Sequence, residues 1–349
     1  MPEVSPTPVQ PQDRLDWRAS APFIAFHLAV PLVFVTGITW EWVLVAIVAY
    51  AVRMLATSAG FHRYFSHRAF KMNRLLQFLL ALVAQSSWPR GVLWWAIHDR
   101  LHHKLAETEG DLHSPVRSGF WRSHAGWLLS ARHGATDYDS IKEFSRFPEL
   151  MWLNELPHLP MLAGVVVAYW LGGLPAIVFA CVVPTVLTWH ATLSVNSLSH
   201  LFGRRRYLTP DASRNSFLLS LLTFGEGWHN NHHHSPGVAR TGFFWWELDL
   251  TWYLLELLSW VGVVRDVRQP RPEVRDAHLG YSAEQLALLK AQSRFGKFDV
   301  SARVPTPSGA EPDQRNAGPL QPMRSEAAPG EATPKKERLA VAPAGIKLT

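Results

Sequence analysis

The chain has 349 residues, 48% of them hydrophobic, with 16 tryptophans and a formal charge of +6. Its single cysteine, Cys181 in an apolar run, excludes an internal disulfide and argues against thiolate ligation of a metal. The pI near 9.6 fits a face turned toward anionic lipid or an anionic substrate, and with no nucleic-acid motif beside it nucleic acid is excluded as a partner.

In chain order, residues 1–16 read as a flexible lead, poor in apolar content, and no cleaved signal peptide is read at Met1. Residues 21–59 are mostly apolar and break only around 37–41, too long for one bilayer crossing but suited to a tight pair. Spans are expected at 21–36, with Pro31 as a kink, and at 41–59. Residues 61–156 change character, becoming basic and rich in His and Trp. Within them the short apolar run 75–83 predicts an in-plane or re-entrant helix. A second apolar pair follows at 159–171 and 174–195, joined by Gly172-Gly173. Lys and Arg crowd the segments after Ala59 and after His200 and are missing from both hairpin turns. By the positive-inside rule both termini and the middle loop face the cytoplasm. Residues 17–270 thus form the body, 271–300 a short cytoplasmic helical extension, and 301–349 a disordered tail rich in Pro, Ala, Gly and charge.

Four histidine clusters fall on the cytoplasmic side of this layout. They are His62 with His67; His98, His102 and His103; His200 at the end of the fourth span; and His229, His232 and His233 in the text Gly225-Glu226-Gly227-Trp228-His229-Asn230-Asn231-His232-His233-His234. Neutral imidazole is the commonest protein ligand for transition metals, and polar groups gathered beside a bilayer usually serve a function. Nine histidines suffice for two ions of four or five ligands. On an α-helix His229 shares a face with His232 and His233, while that adjacent pair diverges by about 100° and suits two metals. His62 and His67, about 140° apart on the same reckoning, are also expected to serve different ions. His27, His113, His124, His133, His158, His190, His234 and His278 are read as isolated or redundant.

The spacing His62-x4-His67, the His98–His103 block, Asn196-x3-His200 and His229-x2-His232-His233, interleaved with two apolar hairpins, resembles the membrane fatty acyl desaturases of the stearoyl-CoA Δ9 type. The likeness runs from about residue 21 to 267 and includes Asp111-Leu112-His113-Ser114-Pro115. It implies an all-α integral membrane protein: four transmembrane helices in two hairpins, and a cytoplasmic helical cap holding two iron ions on the nine histidines. Asn196 would hold a water on one iron. The implied reaction is O₂-dependent insertion of a cis double bond into a long saturated acyl chain, as the CoA thioester. The chain departs from the family where the first histidine of the second block falls on Asp99. His98 is taken as the replacement ligand, with Asp99 as the alternative oxygen donor. Tyr50 and Ala46, counted back from His62, are expected at the end of the acyl tunnel, and Arg132 is expected among the substrate-binding residues.

Abstracting hydrogen from an unactivated methylene needs a metal–oxygen oxidant that side chains cannot supply. With no electron-carrying segment read in the chain, the donor is expected to be a separate ferredoxin, rubredoxin or cytochrome b5-like protein. A membrane di-iron hydroxylase or alkane monooxygenase, and a histidine-rich metal transporter, are the competing classes.

Overall fold

A computed structural model of the chain describes residues 15–87, 90–130 and 135–293. Every regular element among them is helical. Two stretches, Trp40–Ser66 and Leu159–His200, are long and apolar enough to cross a membrane, and Ser20–Thr36 and Arg74–Gln85 are shorter apolar helices. The second long stretch breaks at Gly172 and Gly173, the latter at φ +61°, where glycine turns the chain without a Cβ penalty. Large apolar side chains stand exposed along these helices, including Phe34, Trp170 and Leu171, each more than 80% accessible. So wide an apolar surface marks contact with lipid or protein.

Helix Arg74–Gln85 carries the reversed pattern of a helix in lipid. Leu75, Leu79 and Val83 face outward at four-residue spacing, while Gln77 and Gln85 are buried. The Asn73 side chain caps its first turn by accepting from Leu76 N at 2.9 Å. Gln85 spends its polarity on the next element: its Oε1 accepts from Val92 N at 3.0 Å. Asn154 Oδ1 accepts from Leu93 N and Trp94 N at 3.0 Å each. Three orphan N–H groups of helix Val92–Leu105 are thus satisfied by remote side chains, which fixes the helix bearing His98, His102 and His103. Trp94 and Trp127 stack at 5.7 Å in the core beneath it.

Beyond Ala56 the second apolar helix widens into a π coil over Thr57–Ser66. The extension appears as Pro272–Arg275, Ala277–Gly280 and Ala283–Gln292, the last closed by a Ser282/Gln285 capping box. Residues 301–349, expected to be disordered, lie outside the described residues, as do His133 and Arg132.

Candidate metal centre

The π coil decides how the first two histidines meet. His67 N–H donates to His62 O at 3.2 Å, a bond across five residues. Five residues are then close to one turn, so His62 and His67 face the same point rather than two. That corrects the α-helical angle assumed from the sequence. Helix His229–His234 behaves as expected: His232 turns to one group and His233, with His229, to the other.

Two quartets result. His62, His67, His103 and His232 form one, and His102, His200, His229 and His233 the other, with the ligand atoms of each within 4.8 Å of one another. His102 also gathers with Asp111 and His113, so His113 is not the isolated residue its sequence position suggests. The structure brings His98 into neither quartet. Its Nδ1 bonds Trp94 O at 2.7 Å and its ring stacks on Trp94 at 4.1 Å. Asp99, one residue on, points Oδ2 at His67 Nε2, 3.0 Å away. Asn196 lies 3.5 Å from His113 Nε2.

Carboxylates set the tautomers. His62 Nδ1 meets Glu226 at 2.6 Å, His102 Nδ1 meets Asp111 at 2.9 Å, and His200 and His233 meet Glu107 and Asp211 at 2.8 Å each. Each Nδ1 therefore donates, leaving Nε2 with its lone pair toward the quartet. Those nitrogens crowd together: His62 to His232 and His232 to His103 at 2.9 Å, His200 to His229 at 3.0 Å. The buried Nε2 atoms of His102 and His233 have no hydrogen-bond partner among the described residues. One N–H cannot serve two such contacts, and unshared lone pairs at this distance repel. A cation between them removes the conflict; two nitrogens bound side by side at about 2.1 Å stand about 3 Å apart. The residues therefore fit a metal in each quartet.

Electrostatics divide the set. Burial disfavours the charged forms of His62 and His102, but the facing Glu226 and Asp111 carboxylates outweigh it. They hold both above the ordinary histidine range, His102 at about 8, so a metal there takes the place of a proton. Burial first, then the facing imidazoles, hold His103, His229 and His232 well below the ordinary histidine range, so they are neutral. Burial alone would raise the Asp111, Asp211 and Glu107 carboxyls. The imidazoles of His102, His233 and His200 outweigh it, holding all three below the usual range.

Glu107, Asp111, Asp211 and Glu226 went unassigned in the sequence. Glu226 and Asp111 sit inside quoted motifs, whereas Glu107 and Asp211 carry no local signal. A further buried group, Arg63, ties Glu226 at 3.0 Å to Asp249 at 2.9 Å behind His62. Beside the quartets lies a cavity of about 30 Å³. It touches His62 of one quartet and His229 of the other, with Asp99 and Asn196 alongside and Met54 and Val195 from the apolar helices. Ala46 and Tyr50 do not line it. The Tyr50 hydroxyl donates to Leu222 O at 2.5 Å and its ring meets Phe224 edge-on.

Comparisons with known proteins converge. A family model described as fatty acid desaturase matches residues 38–264. An sn-2 palmitoyl-lipid 9-desaturase of Nostoc sp. is 36% identical over 219 residues, 61% of this chain and 76% of that protein. An sn-1 stearoyl-lipid 9-desaturase of Synechocystis sp. is 34% identical over 267 residues, 75% of this chain and 83% of that one. An acyl-CoA 5-desaturase of Anemone leveillei is 34% identical over 247 residues, 70% and 75% of the two chains.

Proposed function

The chain belongs to the fatty acid desaturase family, and from that premise we propose that it is a four-span membrane enzyme placing a cis double bond at C9 of a long saturated acyl chain. Each turnover would take two hydrogens from the chain, two electrons from an external donor, two protons and one O₂, and release two waters. The acyl group is proposed to arrive as the CoA thioester, the carrier named for the Anemone relative, whereas both cyanobacterial relatives are named for lipid-borne chains. Both termini and the centre are placed on the cytoplasmic side, as the Lys and Arg distribution suggests.

The observation that carries this reading is the pair of imidazole quartets with one small cavity reaching a member of each. His62, His67, His103 and His232 would hold one iron, and His102, His200, His229 and His233 the other. Bound iron supplies the reduction of O₂ that makes an unactivated methylene reactive. The chain's own groups do the positioning. Glu226, Asp111, Glu107 and Asp211 keep the Nδ1 protons and aim each Nε2 inward. Met54 and Val195 give the small cavity an apolar wall on the side of the long apolar helices, from which the acyl chain is proposed to approach. Asn196 is proposed to hold a water against one metal, and Asp99 to orient His67.

Expression in a desaturase-deficient host, with metal analysis of the purified protein and lipid analysis of the cells, tests the reading. It expects about two irons per chain and a monounsaturated product, and the lipid class enriched identifies the carrier. A hydroxylated product or an iron-free active protein overturns it.

A further inference from the structure

A second cleft, of about 250 Å³, opens on the cap. Six cationic side chains line it, Arg68, Lys71, Arg74, Arg146, Arg265 and Arg268, against the single carboxylate of Glu143. Glu143 is already engaged by Arg100 at 2.7 Å. Lys71 pairs with Asp266 at 2.8 Å and Arg74 grips Glu149 in a fork at 2.7 Å. Arg68, Arg146, Arg265 and Arg268 make no ion pair among the described residues.

The frame holding these charges is stiff. Lys71 and Arg265 exchange backbone hydrogen bonds at 2.6 and 2.7 Å, and Arg268 N donates to Ala69 O at 2.9 Å. Arg268 Nη2 donates to Arg68 O at 2.6 Å, and Arg68 itself is held at φ +51°, a region non-glycine residues rarely adopt. Like charges lining one cleft repel one another, a cost that a neutralising partner removes.

Its position selects the partner. Tyr64 and Arg68 line the cleft from the segment that bears His62 and His67. Arg100, joined to Glu143, also donates to Ser66 O at 2.7 Å and Phe65 O at 2.8 Å, beside His67. Tyr64, Phe65 and Phe144 meet edge-on or tilted between cleft and coil, with ring centroids 4.9 to 5.6 Å apart. Yet the cleft shares no lining residue with the cavity that touches His62 and His229. A bound group here stands next to the ligand-bearing coil without access to the reacting methylenes, which suits delivery of electrons and not of substrate.

We propose that this cationic cleft is the docking surface for an acidic, soluble electron-carrying protein. The proposal rests on the desaturase reading, which requires two external electrons per turnover. Complementary charge acts mainly on encounter rate and on salt dependence.

The test uses the full chain in nanodiscs with three acidic probes: a [2Fe–2S] ferredoxin, a rubredoxin and a soluble cytochrome b5. Arg146→Glu and Arg265→Glu reverse two exposed cleft charges, and Lys290→Glu, an exposed residue on helix Ala283–Gln292 outside the cleft lining, is the control. At least one probe is expected to bind wild type, with affinity falling at least tenfold in the double reversal and a flatter salt dependence. Its KM as electron donor should rise in parallel, while product formed in one turnover by chemically pre-reduced enzyme stays unchanged. Binding of none of the probes, or equal loss in the Lys290 variant, overturns the proposal. So does unchanged probe affinity with lost binding to phosphatidylglycerol vesicles, which assigns the cleft to the membrane surface. If pre-reduced wild type makes no unsaturated product, the desaturase reading fails, whereas the direct binding result still judges the cleft.

Discussion

At the scale of single residues, the quartets depend on carboxylates that never touch the ligand nitrogens aimed inward. Asp211 accepts from His233 Nδ1 and from Ser213 N at 2.8 Å each. Asp211→Asn keeps the shape and removes the charge that polarises the imidazole. Metal affinity should fall about 10- to 100-fold, measured by competition with a chelator, with helicity unchanged. The His98–Asp99 pair gives a second expectation. With its ring on Trp94, His98→Ala should retain its iron, whereas Asp99→Ala, which frees His67, should lose iron from that quartet. Iron counted per chain in the two variants decides it, and the opposite pattern returns His98 to the ligand set. Sequence distance explains why such partners were hard to read. Glu107 and His200 stand 93 residues apart and meet only through packing. His98 and Asp99 differ by one position, which spacing alone does not resolve; the helix rotation does.

At the scale of elements, apolar periodicity made the helices legible and local backbone chemistry did not. The expected break at Gly172-Gly173 and the short helix over 75–83 are both present. The widened coil over Thr57–Ser66 was not, because side-chain patterning does not distinguish a bond across five residues from one across four. Reading that segment as an α-helix sent His62 and His67 to different ions. The glycines of Gly225-Glu226-Gly227 were visible, but their purpose was not. Gly225 sits at φ +125°, and a Cβ on Gly227 would lie 2.6 Å from Leu219 C, inside the neighbouring backbone. Gly227→Ala should therefore displace helix His229–His234 and destabilise the protein by about 1–3 kcal/mol. A lowered unfolding temperature in detergent, with iron lost from both quartets, is the expected result; a fully loaded variant of normal stability would refute it.

At the scale of the whole molecule, the layout links the membrane helices to the accepted acyl length. Met54 lines the cavity, and Tyr50 lies one turn farther along the same helix, its hydroxyl bonded to Leu222 O. Tyr50→Ala is expected to open room beyond Met54, each added methylene gaining about 0.8 kcal/mol on burial. The preferred chain should lengthen by a few carbons with the double bond still counted from the carboxyl end. Competition among saturated chains of graded length measures this, and an unchanged profile in an active variant places the end elsewhere.

The six-residue helix His229–His234 has one more consequence. Its consecutive residues His232 and His233 answer to different quartets. Occupying the first quartet would immobilise the peptide unit from which the second ligand springs, so the ordering entropy is spent once for both. Loading should then be cooperative: an iron titration of apo-protein is expected to be sigmoidal, passing from empty to doubly filled with few half-filled molecules. His232→Ala, which interrupts that shared hinge from one side, should turn the curve hyperbolic and halve its plateau.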